Sequence, residues 1–218
     1  MQRFTLLHDG SKQGWQAAYL ALHVAAQLGS PLLVLLTDLA PDPEVLIQRA
    51  TQVEVGGRAA GVTIKTRQVA DFSVDVVLQY ATNSDGLFVP QRLIPGWKTA
   101  LQYLEAFSRP LWVVSRESEM HKMAVLVDDL AADETLVNYT VTLSRRLQQS
   151  LTGLILDSES ISISKSDAPN DWVSLHSINS VEINTALQQI EADLFFIPAS
   201  RISLIDDLPL NYVVYPVV

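Results

Sequence analysis

Short unbroken apolar runs alternate along the chain with stretches whose apolar residues recur every three or four positions. Phe4–Leu7 is an apolar run that ends on His8-Asp9-Gly10-Ser11. Trp15, Ala18, Tyr19, Leu22, Ala25 and Ala26 then recur at helical spacing, and Gly29 stands where that helix would end. Pro31–Leu36 is a second apolar strand, and Pro43 opens a helix to about Ala60, its last turns loosened by Gly56-Gly57. Val62–Val69 alternates β-branched and polar residues, as a strand near a sheet edge does. Ser73–Ala81 predicts a third helix with Val74, Val77, Leu78 and Ala81 on one face, and Gly86–Val89 a fourth strand. Pro95 falls where the first residue of a fourth helix is expected, with Trp97, Leu101 and Leu104 as its inner face. Leu111–Val114 closes the series. Five strands alternating with four helices predict an open parallel α/β sheet, whose doubly buried strands read as continuous apolar runs.

The same order then begins again. Phe4–Asp38 aligns without a gap on Met123–Asp157, so that Leu7 meets Leu126, Asp9 meets Asp128, Leu28 meets Leu147 and Asp38 meets Asp157. A repeat of about half the chain means two copies of a small domain, here residues 1–115 and 122–218, joined by the polar stretch Ser115–Lys122. The second copy is reduced. Ser158–Asp171 is rich in Ser, Asp and Pro where its second helix should stand, and reads as loop. Val173–Ile178, Val181–Ile190 and Leu194–Ile197 predict its third strand, third helix and fourth strand. Only 10 residues separate Pro198 from Pro209, against 19 between Pro90 and Pro110, so a full fourth helix hardly fits. Tyr212–Val218 is the last strand, and Pro216 confines it to an edge or to its end.

The 218 residues are 48% hydrophobic and 18% charged, which suits buried parallel strands. No apolar stretch reaches the roughly 18 residues of a membrane span, and none follows a basic start as a signal peptide would. A cytoplasmic location is the expectation, with no membrane partner. The absence of cysteine excludes disulfides, thiol catalysis and thiolate metal sites. The net charge of −9 is uneven, −1 over residues 1–119 and −8 over residues 120–218. An acidic half without a basic stripe argues against nucleic acid.

Candidate chemistry is thin. His8, His23, His121 and His176 lack metal-ligand spacing, and Ser11, Ser115 and Ser200 lie outside any nucleophile-elbow context. Asp128-Asp129, with Asp133 and Glu134, reads as a capped acidic helix start rather than a metal site. Asp9 or Ser11 is expected to cap the first helix. No enzyme and no metal are predicted.

The ordered set resembles the tandem universal stress proteins. Asp9-Gly10-Ser11 after the first strand, the Ala-rich first helix, Leu87-Phe88-Val89 and Arg109-Pro110-Leu111-Trp112-Val113-Val114 carry the resemblance. It implies two doubly wound sheets of order 3-2-1-4-5, with a ligand crevice at the strand ends between Asp9 and Pro90. In members of that family that bind ATP, the aspartate after strand one contacts adenosine, and a loop G-x2-G-x9-G-[ST] cradles the phosphates. Here the glycine slots fall on Pro90, Leu93 and Tyr103-Leu104, and in the second copy on Pro198, Arg201 and Asn211-Tyr212. Proline has no amide to donate, so the cradle is expected to be missing from both copies.

The resemblance therefore points to a non-catalytic tandem protein acting in stress response or regulation through protein contacts or a small ligand. One alternative keeps weak adenine-nucleotide (ATP or AMP) binding in the first copy, with slow or no hydrolysis, through Asp9, Gly10, Ser11, Arg92 and Lys98. Another is a regulatory module of a transporter or kinase. The resemblance also implies association through the last strands, Leu111–Val114 and Tyr212–Val218, as an intramolecular pseudo-dimer or a homodimer, beside a protein partner not named by the sequence.

Overall fold

The computed structural model describes residues 3–37, 43–118, 120–128, 133–156, 172–178, 183–205 and 210–216. The chain divides into two compact units, residues 1–117 and 118–218. The first contains β1 (Phe4–His8), α1 (Lys12–Leu28), β2 (Leu32–Leu36), α2 (Pro43–Ala59), β3 (Ile64–Gln68), α3 (Val74–Ala81), β4 (Gly86–Pro90), α4 (Trp97–Phe107) and β5 (Leu111–Val114). Its strands are parallel and ordered β3-β2-β1-β4-β5. The second contains β6 (Lys122–Val127), α5 (Glu134–Leu147), β7 (Ser150–Leu156), β8 (Trp172–Ile178), α6 (Ile183–Gln189), β9 (Leu194–Pro198) and β10 (Tyr212–Tyr215). Its parallel order, β8-β7-β6-β9-β10, repeats the first.

The repeat read from the sequence holds at the level of hydrogen-bond register. Phe4 pairs with Leu32 in one unit, and Met123 with Leu151, the aligned positions, in the other. Helix ends repeat as well. Gly29 closes α1 in the left-handed conformation at φ 61°, and Gln148, its aligned counterpart, closes α5 at φ 56°. A residue without glycine's freedom holds that conformation here because its amide still caps the carbonyls of Ser144 and Arg145.

Strands β1, β2, β4 and β5 are buried along their whole length, as the unbroken apolar runs require. Phe4, Phe88 and Trp112 form an aromatic cluster in this core, with Phe4–Phe88 centroids at 5.6 Å and Phe88–Trp112 at 4.7 Å. Strand β3, at the edge, is the half-exposed one, as its alternation predicts.

Two helix faces differ from the sequence expectation. Helix α1 turns Gly14, Ala17, Ala18, Ala21, Val24, Ala25 and Leu28 to the core, while Tyr19 is exposed. The small side chains let α1 lie close on the sheet, and Trp15 and Leu22 line a groove toward Val53 and Gly56 of α2. Helix α4 starts at Trp97, after Gly96 and not at Pro95, and buries Ala100, Tyr103 and Leu104. Trp97 and Leu101 are only half-buried. Tyr103 can go inside because its hydroxyl donates to the Phe72 carbonyl, and burial pushes that hydroxyl's pKa up to about 12.

In the second unit β9 is followed by a 3-10 helical segment, Ala199–Ile205, where the first unit has α4. The predicted loop at Ser158–Asp171 lies outside the described residues. Among the described residues no helix is long and apolar enough to cross a membrane.

Candidate functional site

In a doubly wound sheet the ligand crevice opens where the strand order reverses, here beyond the C-terminal ends of β1 and β4. The chain leaves β1 through His8 and Asp9, both buried, then turns at Gly10 with φ 76°. Only glycine suits this turn, since a side chain would be strained at that φ and would fall on the guanidinium of Arg49 from α2.

Three hydrogen bonds wind the turn into α1. Asp9 Oδ1 accepts from Ser11 N at 3.0 Å and from Ser11 Oγ at 2.6 Å, and Ser11 Oγ in turn accepts from Gly14 N at 2.9 Å. Ser11 is thus the N-cap, and Asp9 orients it. The other carboxylate oxygen, Asp9 Oδ2, faces Arg92 Nε at 2.9 Å; the Asp9 side chain is 0% exposed and that of Arg92 45%. Arg92 sits in a short 3-10 turn, Gln91–Leu93, that follows Pro90. Its backbone amide donates to Gln13 Oε1 at 2.9 Å, so α1 also holds this turn through a side chain.

His8 completes the floor of the crevice. Its Nδ1 accepts from Gly10 N at 3.1 Å, which places the proton of the neutral ring on Nε2. The ring meets Trp15 edge to face at 4.5 Å. Burial, with Arg49 adding to it, lowers the His8 pKa to about 4 against the opposing pull of Asp9. The imidazole is therefore uncharged at neutral pH.

The second unit builds the same ion pair by a different route. Arg201 Nε donates to Asp128 Oδ2 at 2.7 Å. Arg92 lies two residues after Pro90, and Arg201 three residues after Pro198. Asp133, at the N-cap of α5, turns its carboxylate back to accept from Asp128 N at 2.8 Å and makes no side-chain bond to the helix's first amides. The acidic start is present but is not the side-chain cap the sequence suggested. Among the described residues no group of three or more His, Asp or Glu side chains is placed to hold a metal ion.

Of the residues singled out in the sequence, Asp9, Gly10, Ser11 and Arg92 meet in one place. Lys98 does not join them: it is exposed, with Nζ 5.6 Å from the ring centroid of Trp97. The sequence reading missed Arg49 and Gln13, which reach the site from two helices. The glycine-slot positions are otherwise occupied: Pro90 ends β4, Leu93 ends the 3-10 turn, and Tyr103 and Leu104 are buried in α4.

No protein-family model matches the sequence, and no curated protein matches it. Solved structures do match over the whole chain. A universal stress protein from Archaeoglobus fulgidus DSM 4304 is similar with a TM-score of 0.67 at 13% identity, over 98% of this chain and 96% of that one. A functionally unknown protein from Pseudomonas aeruginosa PAO1 gives 0.73 at 13% identity, over 99% and 92%. The cytoplasmic domain of a prokaryotic cation chloride cotransporter gives 0.62 at 10% identity, over 98% and 94%. The chain has the universal-stress fold in two tandem copies.

Proposed function

We propose that this is a non-catalytic regulatory protein, of the kind that serves stress responses, whose two crevices are closed by its own side chains. The observation that carries the reading is the duplicated ion pair: Asp9–Arg92 at 2.9 Å and Asp128–Arg201 at 2.7 Å. In each copy the carboxylate expected to meet adenosine is engaged by an arginine from the segment that would otherwise approach phosphate. The two arginines reach it from different spacings, which favours the pairing itself as the retained feature. The glycine-slot residues Pro90, Leu93 and Tyr103 support the same reading, since none offers the bare backbone a phosphate cradle needs.

In the crevice of the first unit, ATP is expected to bind at millimolar concentration or not at all. Losing two charge-assisted amide bonds, each about 1.5–3 kcal/mol, removes roughly two to four decades of affinity. Calorimetry with ATP checks this on the wild type and on Asp9→Ala. Saturable micromolar binding abolished by Asp9→Ala would overturn the reading in favour of an adenine-nucleotide site built on Asp9, Ser11 and Arg92.

The similarity to a cotransporter's cytoplasmic domain favours a second reading, a regulatory module working beside a transporter. Crosslinking in membranes from cells expressing the tagged protein tests it, with one transporter recovered reproducibly as the supporting result. Self-association through the last strands belongs to either reading, because an apolar strand edge invites pairing. Deleting Asn211–Val218 is expected to cause aggregation in sedimentation runs, and a soluble truncated protein of unchanged oligomeric state would refute the role of that strand.

A further inference from the structure

A second site lies at the sheet edge of the first unit, away from the crevice. A groove of about 550 Å³ is lined there by Arg3, Leu33, Lys65, Arg67, Gln79 and Tyr80, among others. Its construction follows from strand alternation. On β3, Ile64 lies against Gly57 of α2, and Thr66 Oγ1 donates to Glu54 of α2 at 2.9 Å. Lys65 and Arg67 therefore point to the opposite face. Register places Lys65 beside Leu33 and Thr5, and Arg67 beside Leu35 and Leu7. Thr5 Oγ1 is hydrogen-bonded to Ser84 Oγ, just beyond α3, so this is the α3 face of the sheet. Gln79 and Tyr80 form the wall on the helix side.

Three cations, Arg3, Lys65 and Arg67, line this groove, and no carboxylate does among the described residues. Glu54 is turned to the other face by its bond to Thr66. Asp85 is near Arg3 but accepts from its backbone amide at 2.8 Å. The Arg3 guanidinium is anchored through Nη2 to the Tyr80 carbonyl at 2.9 Å, while its Nε has no acceptor among the described residues.

Basic residues on an edge strand deter unwanted pairing, and that alone could account for Lys65 and Arg67. It does not account for Arg3. That residue precedes β1, two strands in from the edge, and brings a fixed third cation into the same groove in a chain of net charge −9.

We propose that this groove binds a small, multiply charged oxyanion of the polyphosphate class. Lys65 and Arg67 are two residues apart on one strand face, a span of about 6.6 Å. A single phosphate engages one of them closely; a linked chain of phosphates reaches both and Arg3. The partly exposed Tyr80 ring and the Leu33 side chain would face any organic part of such a ligand.

The probe is inorganic tripolyphosphate, titrated calorimetrically into the full chain at low ionic strength, with orthophosphate as the comparison. Saturable binding that weakens with added salt is expected, at least tenfold tighter than orthophosphate. Lys65→Glu with Arg67→Glu is expected to lower the affinity at least tenfold, and Arg92→Gln to leave it unchanged. Lys65→Gln and Arg67→Gln, each a milder change at an exposed position, should give intermediate losses. Absence of saturable binding, equal affinity for orthophosphate, or full binding by the charge-reversed variant would overturn the proposal. Loss of binding in Arg92→Gln would move the anion to the crevice and overturn it equally. ATP binding that survives Asp9→Ala but disappears in the charge-reversed variant would belong to this groove, and would leave the reading of the crevice standing.

Discussion

Lowering the pH from 7 to 4 is expected to remove about 3 kcal/mol of stability through His8 alone. The imidazole is buried, and its pKa in the folded protein is lowered to about 4, first by burial and then by Arg49. In the unfolded chain it titrates near the ordinary value of 6.5. The unfolded state therefore binds the proton first as the pH falls. The stabilisation is complete above about pH 6.5 and is lost progressively down to about pH 4. Geometry supports the sign, because Nδ1 accepts from Gly10 N at 3.1 Å and a protonated ring would turn a donor toward a donor.

The comparison that isolates the effect is His8→Asn, which keeps an acceptor near the Nδ1 position. It is expected to cost about 1–2 kcal/mol at pH 7 from lost packing against Trp15. Its urea-unfolding stability should fall about 3 kcal/mol less than that of the wild type between pH 6.5 and 4. Carboxylates elsewhere contribute equally to both proteins. Parallel profiles would refute the assignment.

The difference between what was legible and what was not follows the range of the interaction. Local rules narrowed the N-cap to Asp9 or Ser11, of which the structure uses Ser11, and sufficed for Gly29 as C-cap, since both caps are satisfied within a few residues of chain. The repeat sufficed for the sheet, because an apolar run copied in register carries its strand partners with it: Phe4–Leu32 recurs as Met123–Leu151. Helix faces were less legible. On α4, Trp97, Leu101 and Leu104 fit the helical period, yet Tyr103 is buried because a distant carbonyl, that of Phe72, satisfies its hydroxyl. On α1 the alanines Ala17, Ala18, Ala21 and Ala25 are buried together with Leu20, Val24 and Leu28, while Tyr19, which fits the predicted stripe, is exposed.

The site itself was legible only in part. Asp9 and Arg92 stand out by their places after the first and fourth strands, but Arg49 reaches Gly10 from a helix that shows no such mark. Lys98 is close to Arg92 in sequence and points elsewhere, over Trp97. A side chain's direction depends on where its helix begins, and Pro95 misplaced that start.

Two glycine-to-alanine substitutions in the helices are expected to act with opposite signs. Alanine is favoured over glycine in a helix by up to about 1 kcal/mol, so each change would stabilise the fold if nothing else intervened. At Gly56 little intervenes: a Cβ would lie 3.5 Å from Leu22 Cδ1, an ordinary contact, and Gly56→Ala is expected to gain about 0.5–1 kcal/mol. At Gly14 the added Cβ would lie 2.5 Å from Asp9 Oδ1 and 2.9 Å from His8 Nδ1. Neither group can retreat into water. Asp9 Oδ1 holds both donors of Ser11, and His8 is wedged between Gly10 N and Trp15.

Overpacking of this kind costs about 1–3 kcal/mol, and displacing Asp9 weakens its bonds to Ser11 by about 1–2 kcal/mol more. After the helix propensity is returned, Gly14→Ala is expected to destabilise the protein by about 2 kcal/mol. Chemical unfolding of the two variants beside the wild type reads the sign directly. Because the clash displaces Asp9, whose other oxygen pairs with Arg92, Gly14→Ala is also expected to loosen the closed crevice. A Gly14→Ala protein as stable as Gly56→Ala would mean that His8 and Asp9 do not crowd the first turn of α1, and the geometry assigned to the crevice would fall with it.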